Sequence, residues 1–132
     1  MLRIILMCSL LASTGSFAAA PAGPGHGYAQ IVPGAFSVVA EVYAKPGKEA
    51  ALRAITLPLI GLVRGDPKNL VYFLQEDRAV PGHFVFYEVF ANEADFEAHN
   101  NMPYVKAWLA KLPELAAGGV KVTRMQVLTE AR

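Results

Sequence analysis

The sequence has only one cysteine, Cys8, and it lies in an apolar segment near the start of the chain. If that segment is removed after synthesis, the mature protein has no thiol. The lack of other cysteines excludes disulfides, cysteine nucleophiles and thiolate metal sites together. A chain without thiols also suits an oxidising compartment, where free cysteines mispair.

The chain also lacks an excess of charge of either sign. It contains 12 basic and 11 acidic residues, and its basic residues form no stripe or cluster. Nucleic acids and anionic membrane surfaces are bound through clustered positive charge, so the sequence indicates no nucleic-acid partner. The balance of charge favours a small or weakly charged ligand.

Long hydrophobic runs are absent too, although the first 20 residues are mostly apolar or small. Arg3 precedes an apolar run over 4–12, and small residues follow up to Ala20, an order typical of a signal peptide. A membrane-spanning helix needs about 20 apolar residues, so we expect no stable membrane anchor. Cleavage after Ala18 fits best, which predicts an exported protein, either periplasmic or secreted.

The chain therefore divides into three predicted segments. Residues 1–18 form the signal peptide, and residues 19–35, which begin with a run rich in proline and glycine, form a flexible tail. Residues 36–128 form one folded domain, because a chain of 132 residues has room for a single hydrophobic core.

The sequence has neither a glycine-rich phosphate loop nor a cluster of closely spaced His, Asp and Glu residues. The first is expected of a nucleotide-binding protein and the second of a metal site. We therefore expect no cofactor and no bound metal.

Within the domain, β-branched and aromatic runs predict strands, and helical spacing of apolar residues predicts helices. Strands are predicted over 36–43, 70–76, 83–90 and 120–128, the last after a break at Gly118–Gly119. Helices are predicted over 48–64, bent or divided at Pro58, then after the N-cap Asn92, and again from Pro103. The order β-α-β-β-α-α-β predicts an α+β, ferredoxin-like fold with an antiparallel sheet, whose second and third strands form a hairpin.

The third predicted strand is apolar on both of its faces. Val85, Tyr87 and Val89 alternate with the residues predicted to face the helices, and they are too apolar for a face exposed to water. We therefore expect this outer face to pack on a second subunit, giving a homodimer.

Two polar side chains are predicted to lie among aromatic residues. Glu88 shares a strand face with Phe86 and Phe90, because side chains two apart point the same way. Helical spacing places His99 on the same side as Phe96. A neutral imidazole beside a carboxylate in an apolar pocket can accept a proton from an acidic phenol or enol.

A structural role for these residues is the alternative. A histidine near a helix end often serves as a hydrogen-bonding residue, and a strand glutamate often pairs with a neighbour. His83, at a strand start beside Gly82, is expected to face solvent.

Two segments of the domain carry a family resemblance. Residues 84–99 read Phe-Val-Phe-Tyr-Glu-Val-Phe-Ala-Asn-Glu-Ala-Asp-Phe-Glu-Ala-His, and residues 64–72 read Arg-Gly-Asp-Pro-Lys-Asn-Leu-Val-Tyr. The first resembles the strand-to-helix signature of the antibiotic biosynthesis monooxygenase family, and the second resembles the turn before that family's second strand. The resemblance covers about 36–128 and implies a ferredoxin-like dimeric α/β barrel that uses no cofactor.

The resemblance also implies a chemistry. Such proteins include oxygenases in which a quinol or polycyclic phenol supplies the electrons to O2, so a small aromatic substrate and O2 are the expected partners. His99 and Glu88 are the expected catalytic residues. Many relatives have a second histidine where this chain has Tyr104, which argues against a mechanism with two histidines.

Several aromatic residues are candidates for binding the substrate, although each also suits a hydrophobic core. They are Phe86, Phe90, Phe96, Tyr72, Tyr104 and Trp108.

The resemblance does not extend to heme binding. The heme-degrading branch of the family uses an asparagine, a tryptophan and an axial histidine, and the matching positions here are Val42, Phe90 and a site near Trp108 and Leu109. None of these can replace those groups, so heme is not expected.

Three functions follow from this reasoning. The first is a cofactor-independent monooxygenase acting on a quinol or polycyclic phenol. The second is an isomerase or tautomerase, which needs the same acid and base but no O2. The third is a dimeric protein that binds a small ligand without enzymatic activity.

Overall fold

A computed structural model describes residues 31–128. The predicted signal peptide over 1–18, and with it Cys8 and the predicted export, lies outside the described residues, as do residues 19–30 of the predicted tail. None of the helices within 31–128 is long and apolar enough to cross a membrane.

The domain consists of one four-stranded sheet and five short helices in the described part of the chain. The strands are β1 (Phe36–Ala44), β2 (Asn69–Glu76), β3 (His83–Phe90) and β4 (Ala116–Gln126), and the helices are α1 (Glu49–Thr56), α2 (Leu59–Arg64), α3 (Glu93–Asn100), α4 (Pro103–Leu109) and α5 (Leu112–Leu115). The sheet order is β2-β3-β1-β4, with every neighbouring pair antiparallel. The predicted α+β, ferredoxin-like arrangement is confirmed, and the sheet is open.

Proline and glycine determine where two elements differ from the predicted ones. Leu57 and Pro58 separate α1 from α2, because a proline has no amide hydrogen to donate within a helix. The predicted break at Gly118–Gly119 is wrong, since both glycines lie inside β4 with φ values of 78° and 74°. They accompany a register shift opposite Val42 and Tyr43, and only glycine adopts such φ values without strain.

The main core lies between the helices and one face of the sheet. On β3, Phe84, Phe86 and Phe90 are all buried on this face, as strand alternation predicts. Helices α1 and α2 contribute Leu52 and Val63 to the same cluster.

The opposite face of the sheet is only partly covered. Val89 is buried against Ala35 and Val71, with Ile31 packed beside them. Towards the middle of the sheet, by contrast, Phe73 is 43% exposed. An apolar surface therefore remains open on this outer face.

His83 does not face solvent as expected, since its side chain is only 11% exposed. Its Nδ1 atom lies 3.3 Å from Oδ2 of Asp77, and its Nε2 atom lies 3.2 Å from Oε2 of Glu41. The ring also stacks on that of Tyr43, with the two centroids 4.0 Å apart. The register of β1 with β3, which places Tyr43 opposite His83, explains this burial.

Candidate active site

One row of residues crosses the whole sheet on its helix-facing side. Tyr72 pairs with Glu88, Glu88 with Val38, and Val38 with Arg124, one residue from each strand. All four line a cavity of about 280 Å³ between the sheet and the helices. The sheet thus places a carboxyl, two polar groups and an apolar residue along one side of a single cavity.

Helix α3 brings His99 to this cavity. The helix begins after Asn92, whose side chain accepts a hydrogen bond from the Asp95 amide at 2.9 Å, the arrangement of a good N-cap. Phe96 and His99 are its two buried residues, as helical spacing predicts. The ring of His99 packs against Phe90, with centroids 5.4 Å apart.

Asp66 fixes the orientation of the His99 ring. Its Oδ1 accepts a hydrogen bond from the Lys68 amide at 2.9 Å, and its Oδ2 lies 3.2 Å from His99 Nδ1. Both side chains are only 5% exposed. A carboxylate at Nδ1 places the imidazole proton there and leaves the lone pair on Nε2.

Glu88 lies on the other side of His99. Its Oε2 is 3.6 Å from His99 Nε2 and accepts a hydrogen bond of 2.8 Å from the Asn69 side-chain amide. Burial raises the pKa of Glu88 to about 7, against the lowering effect of the Asn69 hydrogen bond. The carboxyl can therefore both donate and accept a proton near neutral pH.

His99 remains a neutral base under the same conditions. Burial lowers its pKa, while the hydrogen bond from Nδ1 to Asp66 and the charge of that carboxylate act in the opposite direction. A neutral imidazole with a free Nε2 lone pair can accept a proton from a bound ligand.

The walls of the cavity are mainly apolar. Its lining includes Val38, Ala40, Val63, Phe86, Phe96 and Trp108. Phe86 meets Trp108 edge to face with centroids 5.4 Å apart, and the Trp108 indole donates to Thr56 Oγ1 at 3.0 Å. The cavity has room for a small, largely apolar molecule, since its volume is near the lower end of the about 300–1,000 Å³ usual for ligand pockets.

The structure brings all eight candidate site residues together, at different distances from the cavity. Glu88, His99, Tyr72, Phe86, Phe96 and Trp108 line it directly. Phe90 lies behind His99, and its ring centroid is 5.5 Å from that of Phe96. Phe90 therefore supports the ring of His99 from the core.

Two tyrosines add hydroxyl groups near the polar residues. The Tyr104 hydroxyl lies 3.4 Å from His99 Nδ1, and burial raises its pKa to about 12. The buried Tyr72 hydroxyl has no hydrogen-bond partner among residues 31–128, and burial raises its pKa. Both hydroxyls are neutral at physiological pH.

Sequence reasoning missed Asp66, Asn69 and Arg124. Asp66 and Asn69 both lie within residues 65–69, whose composition indicates a turn. The available signal was that this turn leads into β2, the neighbour of the strand that carries Glu88. Among residues 31–128, no three His, Cys, Asp or Glu side chains are grouped so that they could hold a metal ion.

Comparisons with known proteins agree on the architecture. A family model for antibiotic biosynthesis monooxygenases matches residues 35–111. An uncharacterised protein of Synechocystis is 30% identical over 80 residues, which are 61% of this chain and 54% of that protein. The chain thus spans about half the length of this curated relative.

Two solved structures share the fold. A Pseudomonas aeruginosa protein has a TM-score of 0.68 and 24% identity, over 73% of this chain and 96% of that one. A protein described as an antibiotic biosynthesis monooxygenase has a TM-score of 0.66 and 23% identity, over 71% of this chain and 99% of that one. At these identities the likeness establishes the fold alone.

Proposed function

Because the chain belongs to the antibiotic biosynthesis monooxygenase family, we propose that it is a monooxygenase that inserts one oxygen atom from O2 into an aromatic quinol or a related polycyclic phenol. The observation that carries the proposal is the buried array of Asp66, His99 and Glu88 beside an apolar cavity. The proposed reaction draws its electrons from the quinol itself and uses no cofactor.

The first step is removal of a proton from a hydroxyl of the bound ligand. His99 Nε2 is the acceptor, because Asp66 holds Nδ1 in the protonated form. Loss of the proton makes the ring electron-rich. The mainly apolar walls of the cavity offer the anion little hydration, which keeps it reactive toward O2.

The second step forms a carbon–oxygen bond. The quinolate transfers electrons to O2 and binds it at a ring carbon, and Glu88 supplies the proton that turns the resulting peroxide into a hydroperoxide. A pKa of about 7 suits a group that must give up a proton and take one back.

The third step breaks the O–O bond and releases water. Glu88 removes the hydrogen from the oxygenated ring carbon while the O–O bond breaks. One oxygen stays on the ring as a carbonyl, and the other leaves as water with the proton held by His99. The sum is one quinol and one O2 giving one hydroxyquinone and one water.

Oxygen uptake tests the proposal. The purified protein that begins at Ala19, the start expected from the proposed cleavage after Ala18, is mixed with naphthalene-1,4-diol in an oxygen electrode, and the rate is corrected for spontaneous oxidation. We expect catalysed uptake by the wild type and loss of it in His99→Ala. Equal uptake by the two proteins would exclude His99 as the base.

An isomerase or tautomerase is the second candidate, and one observation favours it. Glu88 and His99 offer two proton sites only 3.6 Å apart, as transfer of a proton between two atoms of one ligand requires. Turnover of a ligand without O2 consumption would support this function instead.

We also propose that two copies pack through their outer sheet faces. Val39, Val85 and Tyr87 on this face are half-buried in one subunit, and Phe73 and Met125 are exposed. A second subunit would cover this apolar surface and complete a dimeric α/β barrel. We propose in addition that residues 1–18 are a signal peptide and that the protein is exported.

A further inference from the structure

The two polar ends of the cavity lie on one row of the sheet. Glu88 on β3 and Arg124 on β4 both pair with Val38 on β1, which lies between them. Neighbouring strands are about 4.8 Å apart, so the two backbone positions are separated by roughly 10 Å. Both side chains line the cavity.

The surface between these ends is apolar. Val38 separates them on the same row, and Ala40 pairs with both Phe86 and Val122 on the next row. All of these residues line the cavity. A ligand that reaches both ends must therefore have an apolar body between two polar groups.

Arg124 retains donors for such a group. Its Nε lies 3.5 Å from Oε1 of Glu93, and its Nη2 lies 3.3 Å from Oε1 of Glu97. Its Cζ atom lies over the Phe96 ring, 5.6 Å from the ring centroid. A guanidinium has five N–H donors, so these two contacts leave others available. Within residues 31–128 it is the only lysine or arginine side chain on the cavity lining.

The two glutamates decide which acceptor suits Arg124. Glu93 and Glu97 together carry two negative charges against its one positive charge. A carboxylate on the ligand would meet this excess of negative charge, whereas a neutral oxygen would accept a hydrogen bond from the guanidinium without repulsion.

We propose that Arg124 determines specificity by donating to a neutral oxygen at the far end of the ligand, so that the site selects elongated aromatic molecules of two fused rings with an oxygen at each end. The hydroxyl at the near end meets His99 and Glu88. This inference rests on the proposed function for that near end, because it takes the ligand to be an aromatic alcohol bound in the cavity.

Calorimetric titration without O2 tests it with three probes that share one ring system: 2-naphthol, naphthalene-2,6-diol and 6-hydroxy-2-naphthoate. We expect the diol to bind the wild type about tenfold more tightly than 2-naphthol, as one net hydrogen bond to a charged group gives. The naphthoate should bind no more tightly than 2-naphthol.

Two variants on the same strand identify the residue responsible. Arg124→Met keeps a long side chain without donors, and it should bind the diol and 2-naphthol equally. Lys121→Met is the matched control, because Lys121 pairs with Glu41 on the outer face of the sheet, and it should keep the tenfold preference.

The outcomes separate the two proposals. If the wild type consumes O2 with naphthalene-1,4-diol but binds the diol and 2-naphthol equally, only the role of Arg124 is wrong. A preference for the naphthoate would also overturn it. If none of the probes binds, the proposed ligand class and this inference fail together.

Discussion

The Nδ1 atom of His99 lies 3.2 Å from Oδ2 of Asp66, and this contact joins two elements that are distant in the sequence. Asp66 is held in its turn by the Lys68 amide, so its second oxygen has a fixed position. The contact determines which ring nitrogen carries the proton, and it leaves Nε2 as the proton acceptor of the proposed reaction.

Asp66→Asn should remove most of the activity while preserving the turn. The amide oxygen can still accept from the Lys68 amide, which points the NH2 group at His99 Nδ1. That nitrogen must then become an acceptor, and the proton moves to Nε2, where it blocks removal of the ligand proton. We expect turnover to fall about 100-fold or more, measured as O2 uptake.

The control for this variant is its stability. Thermal unfolding of Asp66→Asn should stay close to that of the wild type, whereas Asp66→Ala should be less stable because it also loses the turn hydrogen bond. Full activity in a folded Asp66→Asn protein would show that Asp66 does not set the state of His99.

Glu88→Gln should change how stability depends on pH. The pKa of Glu88 is about 7 in the folded protein against an ordinary value of 4.5, so between these values the folded state keeps a proton that the unfolded state has lost. The wild type therefore loses stability from this residue as pH rises through that range. The variant has no such loss. As pH rises from 4.5 to above 7, its free energy of unfolding should therefore increase relative to that of the wild type by up to about 3 kcal/mol.

Urea unfolding of both proteins at pH 4.5, 6 and 7.5 measures this difference. The lowered pKa of His99 acts in the opposite direction, because its contribution is lost as pH falls, and it is common to both proteins. A difference in free energy of unfolding that stays constant with pH would contradict a raised pKa for Glu88.

Alternation and helical spacing were sufficient to predict part of the site. They placed Glu88 with Phe86 and Phe90, and His99 with Phe96, because these relations depend only on local geometry. Asp66 and Arg124 depend on pairings over long sequence distances, which one sequence does not contain. Asp66 also looked like an ordinary turn residue, since aspartate is common there for its own backbone hydrogen bonds.

Filling the cavity should block binding without altering the polar residues. Ala40 lies on the cavity lining next to Phe86, so Ala40→Leu places three more carbon atoms in the space for the ligand. We expect 2-naphthol to bind at least about tenfold more weakly, as calorimetry would show. Ala50→Leu, on the exposed side of α1, is the matched control, and unchanged affinity in Ala40→Leu would place the ligand elsewhere.

The outer sheet face should carry the dimer contact. Phe73 is 43% exposed and pairs with Tyr87 in the middle of this face. Phe73→Glu should convert a dimer into a monomer at micromolar concentration, as measured by light scattering. Leu62→Glu, at an equally exposed position on α2, should stay dimeric, and a monomeric wild type would disprove the contact.

Isotope labelling with ¹⁸O2 tests the central claim most directly. The wild type and His99→Ala are incubated with naphthalene-1,4-diol under ¹⁸O2, and the mass of the product is measured by mass spectrometry. The yield of the spontaneous reaction without protein is subtracted from each yield. We predict a hydroxynaphthoquinone that carries one ¹⁸O atom, formed by the wild type and not by the variant. A product without ¹⁸O, or the same yield from both proteins, would contradict a monooxygenase that uses His99 as its base.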